Sequence, residues 1–322
     1  MREQSSATDR STVTAGLVLG AVGVLAFSMS LPATRVAVHD LDPWFVAFGR
    51  AVGAAVLAVV YLAWTRAPRP TRTQWLRLPI VALGVVVGFP LFTSLALTSQ
   101  TSSHGAVVVT VLPAMTAVFA ALRAHERPPL AFWLASGGGL VAVLTFLITS
   151  GAVRGGLTPA DLYLLTAVVL CGLGYAEGGA LARELGGART ICWALLIALP
   201  VTLPITLVTL PARAGAHSWA AFGYLTVISM FLGFFAWYAG LAKGGIAKVG
   251  QIQLAQPVLT LIWSALLLGE PVSPASIGAA VVVLGCVVLT QRTRQGSRVS
   301  FHHREGALVA ASASSGTRTP EA

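Results

Sequence analysis

The chain has 322 residues, 56% of them hydrophobic and 10% charged, with a mean hydropathy of +0.80. Soluble domains carry about 25% charged residues, so an ordinary soluble protein is excluded. The formal net charge is +10, but the basic residues fall between apolar runs, which reads as a topology signal and not as a nucleic-acid surface.

Apolar runs of roughly 20 residues, each enough to cross a hydrocarbon core of about 30 Å, recur along the chain. They lack the weak alternation of a membrane β-barrel. Ten helices are expected, at 14–34, 44–64, 75–97, 102–122, 131–149, 159–181, 189–210, 217–239, 247–268 and 274–291. Short loops with Pro, Gly or Arg separate them, as helix ends require. Residues 1–13 are polar, and no small-residue cleavage site follows the first run, so that run is read as a retained span. The tail at 292–322 is rich in Ser, Ala, Thr and Arg, has little to bury, and is expected to be disordered. Cys171, Cys192 and Cys286 all sit inside apolar runs and are expected to be packing residues, with no disulfide and no metal site.

Ten spans put both termini on one side. With that side as the cytoplasm, all of the 21 basic residues except Arg35, Arg50, Arg154 and Arg213 fall in inner segments. Lys and Arg near span ends set orientation, so both termini are expected in the cytoplasm of a multi-pass protein of the cytoplasmic membrane. Arg66, Arg69, Arg72 and Arg77 in one loop are the strongest vote.

The two halves repeat. When Pro113 is laid over Pro257, Thr116 meets Thr260, Ala121–Leu122 meets Ala265–Leu266, Glu126 meets Glu270 and Ala131 meets Ala275. Apolar helices match by chance, but Pro, Thr and Glu do not keep one register by chance. Five helices per unit is an odd number, so the second unit must sit upside down. The expected organisation is a cytoplasmic segment at 1–13, five-helix repeats at 14–150 and 159–291, and the tail: an all-α membrane protein of ten helices in two inverted repeats. Inverted repeats with interrupted helices at their interface mark secondary transporters, whose site lies near the midplane.

The order of spans, the P-x-x-T sequences and the Gly-Glu turn make this chain resemble the drug/metabolite transporter superfamily, in particular its ten-helix EamA type. "FVAFGRAVGAAVL" at 45–57 is similar to that family's second helix, with Arg50 at its arginine. "WYAGLAKGGIAKVGQIQLAQPVLTLIWSALLLGEPVS" is similar to its helix 8–9–10 region. The first copy departs at "AHERPP", where the family has Gly-Glu-Arg. The resemblance implies export or exchange of small metabolites, amino acids and their relatives among them. It also implies a central cavity lined by helices 1–4 and 6–9.

Polar groups in hydrocarbon need partners or water. On the ninth helix Gln253, Gln256, Thr260 and Ser264 are spaced three, four and four residues apart, which keeps them within about 60° on one face. They either line a cavity or bond neighbouring helices together. Pro113 and Pro257 each free a carbonyl one turn earlier, for a substrate donor or as static kinks only. Arg50 either attracts a carboxylate or reaches outward to Asp40 or Asp42. Glu177 either takes up a coupling proton or pairs with Arg183 or another inner arginine. Tyr175 and Thr116 are further substrate-binding candidates. Gly174 and Gly178 form a small-xxx-small pair for close packing. His104 is read as a helix-end group with Ser102 or Ser103 as cap, Trp237 and Tyr238 as an interfacial anchor, and Glu126 and Glu270 as charges on a following helix N-terminus.

No P-loop, G-x-S-x-G elbow or H-E-x-x-H pair is present, so neither ATP hydrolysis nor an enzyme is expected, and no cofactor. The expected function is a secondary transporter exporting small polar metabolites by alternating access, with a proton gradient as the drive. Its partners are then the metabolite and the lipid bilayer, not nucleic acid, with a homodimer open. Two alternatives stand: a flippase for lipid-linked substrates, and a non-transporting receptor or scaffold.

Overall fold

The structure, a computed structural model, describes residues 2–123 and 158–271, with a few single positions between 134 and 285 besides. Among the described residues seven helices are long and apolar enough to cross a membrane. We label them α1 (Thr12–Asp40), α2 (Pro43–Trp64), α3 (Arg72–Ala96), α4 (Ser102–Leu122), α5 (Pro159–Leu185), α6 (Gly187–Val208) and α7 (Ala216–Gly244). An eighth, α8, is assembled from Ile246–Gly250, a 3₁₀ turn at Gln251–Leu254 and Ala255–Leu268. The expected spans at 131–149 and 274–291, together with Glu126, Cys286 and the tail, fall wholly or almost wholly outside the described residues. Among the described residues all regular structure is helical.

Local chemistry sets the ends. Asp42 accepts from the backbone N–H groups of Trp44 and Phe45 at 2.7 and 3.3 Å, and Pro43 supplies the fixed φ of a first turn. Thr71 with Gln74, and Thr158 with Asp161, form capping boxes that start α3 and α5. Gly186 and Gly245, at φ of 85° and 84°, end α5 and α7 in a conformation only glycine adopts readily. The first helix is longer than expected. It runs from Arg2 without a break to Ser28 and resumes to Asp40, because no glycine or proline interrupts the polar residues at its start.

Prolines break the helices where the repeat places them. α4 is interrupted at Thr110–Val111 just before Pro113, and α8 winds to 3₁₀ just before Pro257. A proline offers no N–H and crowds the preceding turn, so continuous α-helix is lost there. A second correspondence was not visible in the sequence. α3 carries a π segment at Ala82–Gly88 and α7 one at Leu225–Leu232, which coincide when Pro113 is laid on Pro257.

Packing follows the same two-fold logic. α1 packs against α7, α3 against α5, α2 against α6, and the first half of α4 against α8. The α1–α7 contact is made by glycine: a Cβ on Gly240 would stand 2.7 Å from the backbone N of Gly20, and one on Gly16 2.5 Å from that of Gly244. In the α3–α5 contact, Gly84 would meet the Cα of Gly174 at 2.6 Å, which gives Gly174 its packing role. α4 begins where α8 ends, so these repeat-matched helices run in opposite directions. Val56, Val60, Leu207, Val208 and other large apolar side chains point outward, as lipid-facing helices require.

Candidate functional site

The polar face of α8 divides into two halves with different partners. Gln253, Gln256, Thr260 and Ser264 are all buried. Pro32 deprives the Ser28 carbonyl of its helical donor, and the Thr260 hydroxyl donates to that carbonyl at 2.7 Å. Trp263 Nε1 donates to the Ser28 hydroxyl at 3.0 Å. Ser264 Oγ donates to the Thr260 carbonyl and lies 2.8 Å from Ser102 Oγ on α4. The upper half of the stripe therefore joins α8 to α1 and α4. The lower half is open: both amide atoms of Gln253 and the Oε1 of Gln256 are buried with no hydrogen-bond partner. Leaving such a group unmatched costs about 1–3 kcal/mol, and no described residue offsets that cost.

The other candidates are distributed around this stripe. Thr116 donates to Leu112 O within its own helix at 2.9 Å. Tyr175 packs in a cluster with Phe27, Phe234 and Trp237, their ring centroids 4.9–6.3 Å apart. Trp237 and Tyr238 belong to this interior and are fully buried at 0% exposure, which corrects their reading as an interfacial anchor. The cause is depth: α7 continues to Gly244 and places both residues well inside the bundle. Tyr238 donates to Gly174 O at 3.2 Å, while Trp237 Nε1 has no partner.

Arg50 is 2% exposed in α2. Asp40 is taken up by His39, Ser218 and the Gly215 N–H, and Asp42 by its own helix cap. Neither reaches Arg50, so the outward pairing is not formed. Arg50 Nε has no hydrogen-bond partner, and no described carboxylate forms an ion pair with it. Glu177 is 1% exposed and forms an ion pair with Arg77 Nε, while Arg77 also meets Glu184 at 3.0 Å. The partner is Arg77 of α3, one of the arginines expected on the inner side, and not Arg183.

Two links near the opposite end were missed by sequence reasoning. His104 Nε2 lies 2.8 Å from Asp161 Oδ1, joining the starts of α4 and α5 inside the protein. Thr101, and not Ser102 or Ser103, caps α4, accepting from the His104 N–H at 3.1 Å. The serines instead give both backbone N–H groups and both hydroxyls to the Glu270 carboxylate at 2.9–3.0 Å. Glu270 thus serves a helix N-terminus, but that of α4 in the other repeat. A polar residue at each span mouth was the only signal. Among the described residues no group of His, Cys, Asp and Glu gathers as a metal site.

The EamA-like transporter family model matches residues 14–148 and 158–291, one match per repeat. The chain is 44% identical over 288 residues to "Uncharacterized transporter YdeK" of Bacillus subtilis (strain 168), covering 87% of this chain and 98% of that relative. It is 25% identical over 280 residues to a "Probable terminal-alkyne amino-acid exporter" of Streptantibioticus cattleyicolor, covering 84% and 91%. A solved structure described as "Crystal structure of protein" aligns with a TM-score of 0.63 at 18% identity, covering 88% of this chain and 98% of that one. That likeness supports the fold alone. Two family matches that fall on the two halves, joined to a bundle whose helices pair across those halves, give one conclusion: the chain belongs to the EamA-like transporter family.

Proposed function

We propose that the chain exports small polar metabolites, amino acids or related compounds, across the cytoplasmic membrane by alternating access. In this reading ten spans form two inverted five-helix repeats that rock about the midplane, with both termini in the cytoplasm and proton entry as the drive. The observation that carries it is the pair Gln253 and Gln256: both amide atoms of Gln253 and the Oε1 of Gln256 are buried without hydrogen-bond partners among the described residues, next to the break in α8. Interrupted helices at a repeat interface are where secondary transporters hold substrate. The amino-acid exporter among the relatives supports the substrate class. Glu177, a buried carboxylate paired with Arg77, is the candidate proton acceptor.

Secreted metabolites compared between deletion and overexpression strains test the reading. A compound must accumulate outside on overexpression, fall in the deletion, and respond to collapse of the proton gradient. Gln256→Ala is expected to abolish the difference with the protein still present in the membrane. No change in any compound between the strains refutes export, and normal export by Gln256→Ala refutes the site.

A further inference from the structure

Arg50 is a buried cation that no carboxylate among the described residues neutralises. It lies two turns into α2, about 10 Å along the helix from Pro43 at 1.5 Å per residue, and at 2% exposure it does not reach the lipid surface. Every carboxylate whose side chain the structure describes is engaged elsewhere: Asp40 by His39 and Ser218, Asp42 by its own helix, and Asp161 by His104 and Thr158. Glu177 and Glu184 are held by Arg77, and Glu270 by Ser102 and Ser103. A charge within a membrane bundle is expensive without a counter-charge, and a guanidinium is shaped to take a carboxylate with two parallel bonds. A further buried polar atom without a partner, Ser94 Oγ, sits on α3, which packs against α2.

We propose that Arg50 is the receptor for a carboxylate that every substrate must carry, while an ammonium group on the substrate is dispensable. This deepens the transporter reading above and rests on it. The asymmetry follows from the groups that are left open. The open cation demands an anion. The acceptors left open, the Oε1 atoms of Gln253 and Gln256, are neutral and would tolerate an ammonium or a hydroxyl alike.

Purified chain in detergent is tested by thermal shift against amino acids, the 2-hydroxy acids with the same side chains, and the matching amino-acid amides. Compounds that raise the unfolding midpoint are expected to be acids. Hydroxy acids should half-saturate within about tenfold of the amino acids, since a hydroxyl still donates to the same neutral acceptors and no buried counter-charge is left unpaired. Amides should be weaker by at least about 100-fold, because they leave a buried group unpaired. Arg50→Gln should abolish the acid-dependent shift and Arg50→Lys should recover part of it. Where Arg50→Gln does not fold, the comparison of acids with amides on the unaltered chain decides. Amides that match acids, acids that shift Arg50→Gln normally, or a panel in which no acid acts would each overturn the proposal. So would a shift produced by chloride alone that acids do not increase, which would assign Arg50 to a resident inorganic anion. None of these results touches the secretion comparison, on which the transporter reading stands or falls separately.

Discussion

Replacing Glu270 with Gln isolates the joint between the end of α8 and the start of α4. In the structure one carboxylate oxygen takes the Ser102 N–H at 3.0 Å, and the other takes the Ser102 hydroxyl, the Ser103 N–H and the Ser103 hydroxyl, each at 2.9 Å. An amide keeps a single acceptor oxygen. Placed in the busier position it turns its NH₂ toward the Ser102 N–H, so a donor meets a donor, and the negative charge at the helix N-terminus is gone. The unmatched N–H costs about 1–3 kcal/mol, and the lost charge–dipole attraction about 0.3–1 kcal/mol. Together about 2–3 kcal/mol leaves the state in which α4 and α8 are joined. If the joint parts when this end of the bundle opens, the open population rises by about 30- to 150-fold, at 1.4 kcal/mol per factor of ten. Ala106 is fully buried beside Leu261, in the same half of α4 as the joint. In a background with Cys171, Cys192 and Cys286 replaced by Ser, Ala106→Cys should react with a membrane-impermeant maleimide added from the Glu270 side. Glu270→Gln should speed that reaction by a comparable factor. An unchanged rate, with equal yield of folded protein, refutes the view that this joint closes the bundle.

Two further outcomes follow from packing and hydrogen bonding. Thr260→Val keeps the shape of the side chain but strands the Ser28 carbonyl, and should cost about 1 kcal/mol of stability in detergent. In a Pro32→Ala background, where Ser28 regains its helical donor, the cost should vanish; a cycle that shows no coupling refutes the account of that bond. Gly240→Ala gains about 1 kcal/mol of helix propensity but drives a methyl group to 2.7 Å from the backbone of Gly20, an overpacking that costs about 1–3 kcal/mol. The thermal midpoint should therefore fall for Gly240→Ala and hold or rise for Gly223→Ala, whose Cβ would meet nothing within 4 Å.

The features that could be read from the sequence are the ones encoded locally. Span positions follow from hydropathy over one helix length, and the repeat follows from Pro113 and Thr116 keeping one register with Pro257 and Thr260. Gln256, Thr260 and Ser264 share one buried face, as their spacing predicts, because the backbone is α-helical from Ala255 on, whereas Gln253 lies in the 3₁₀ turn before it. What each of them touches was not legible. Thr260 and Ser264 are spent on α1 and α4, and the glutamines are not, and nothing in their spacing distinguishes them. Glu270 was placed on the helix that follows it, the nearest in sequence, whereas its partners are 167 and 168 residues away. His104 reads in the sequence as a helix-end group, whereas it is buried against Asp161, which lies in the other repeat. The π segments change the winding of the backbone without any change in composition, so no pattern of apolar residues announces them.

The bond from Thr260 to Ser28 spans 232 residues of chain, and this sets a condition on how the protein is made. During synthesis at about 5–20 residues per second, α1 enters the bilayer roughly 10–50 s before its partner on α8 exists. Through that interval the Ser28 carbonyl has neither its helical donor nor the threonine, in a solvent that offers no hydrogen bond. The glycines of α1 that will meet Gly240 and Gly244 also have no surface to fit. The first half of the chain must therefore persist in the membrane as loosely joined helices, held by the insertion machinery or by lipid. The bundle locks only when the last described span arrives.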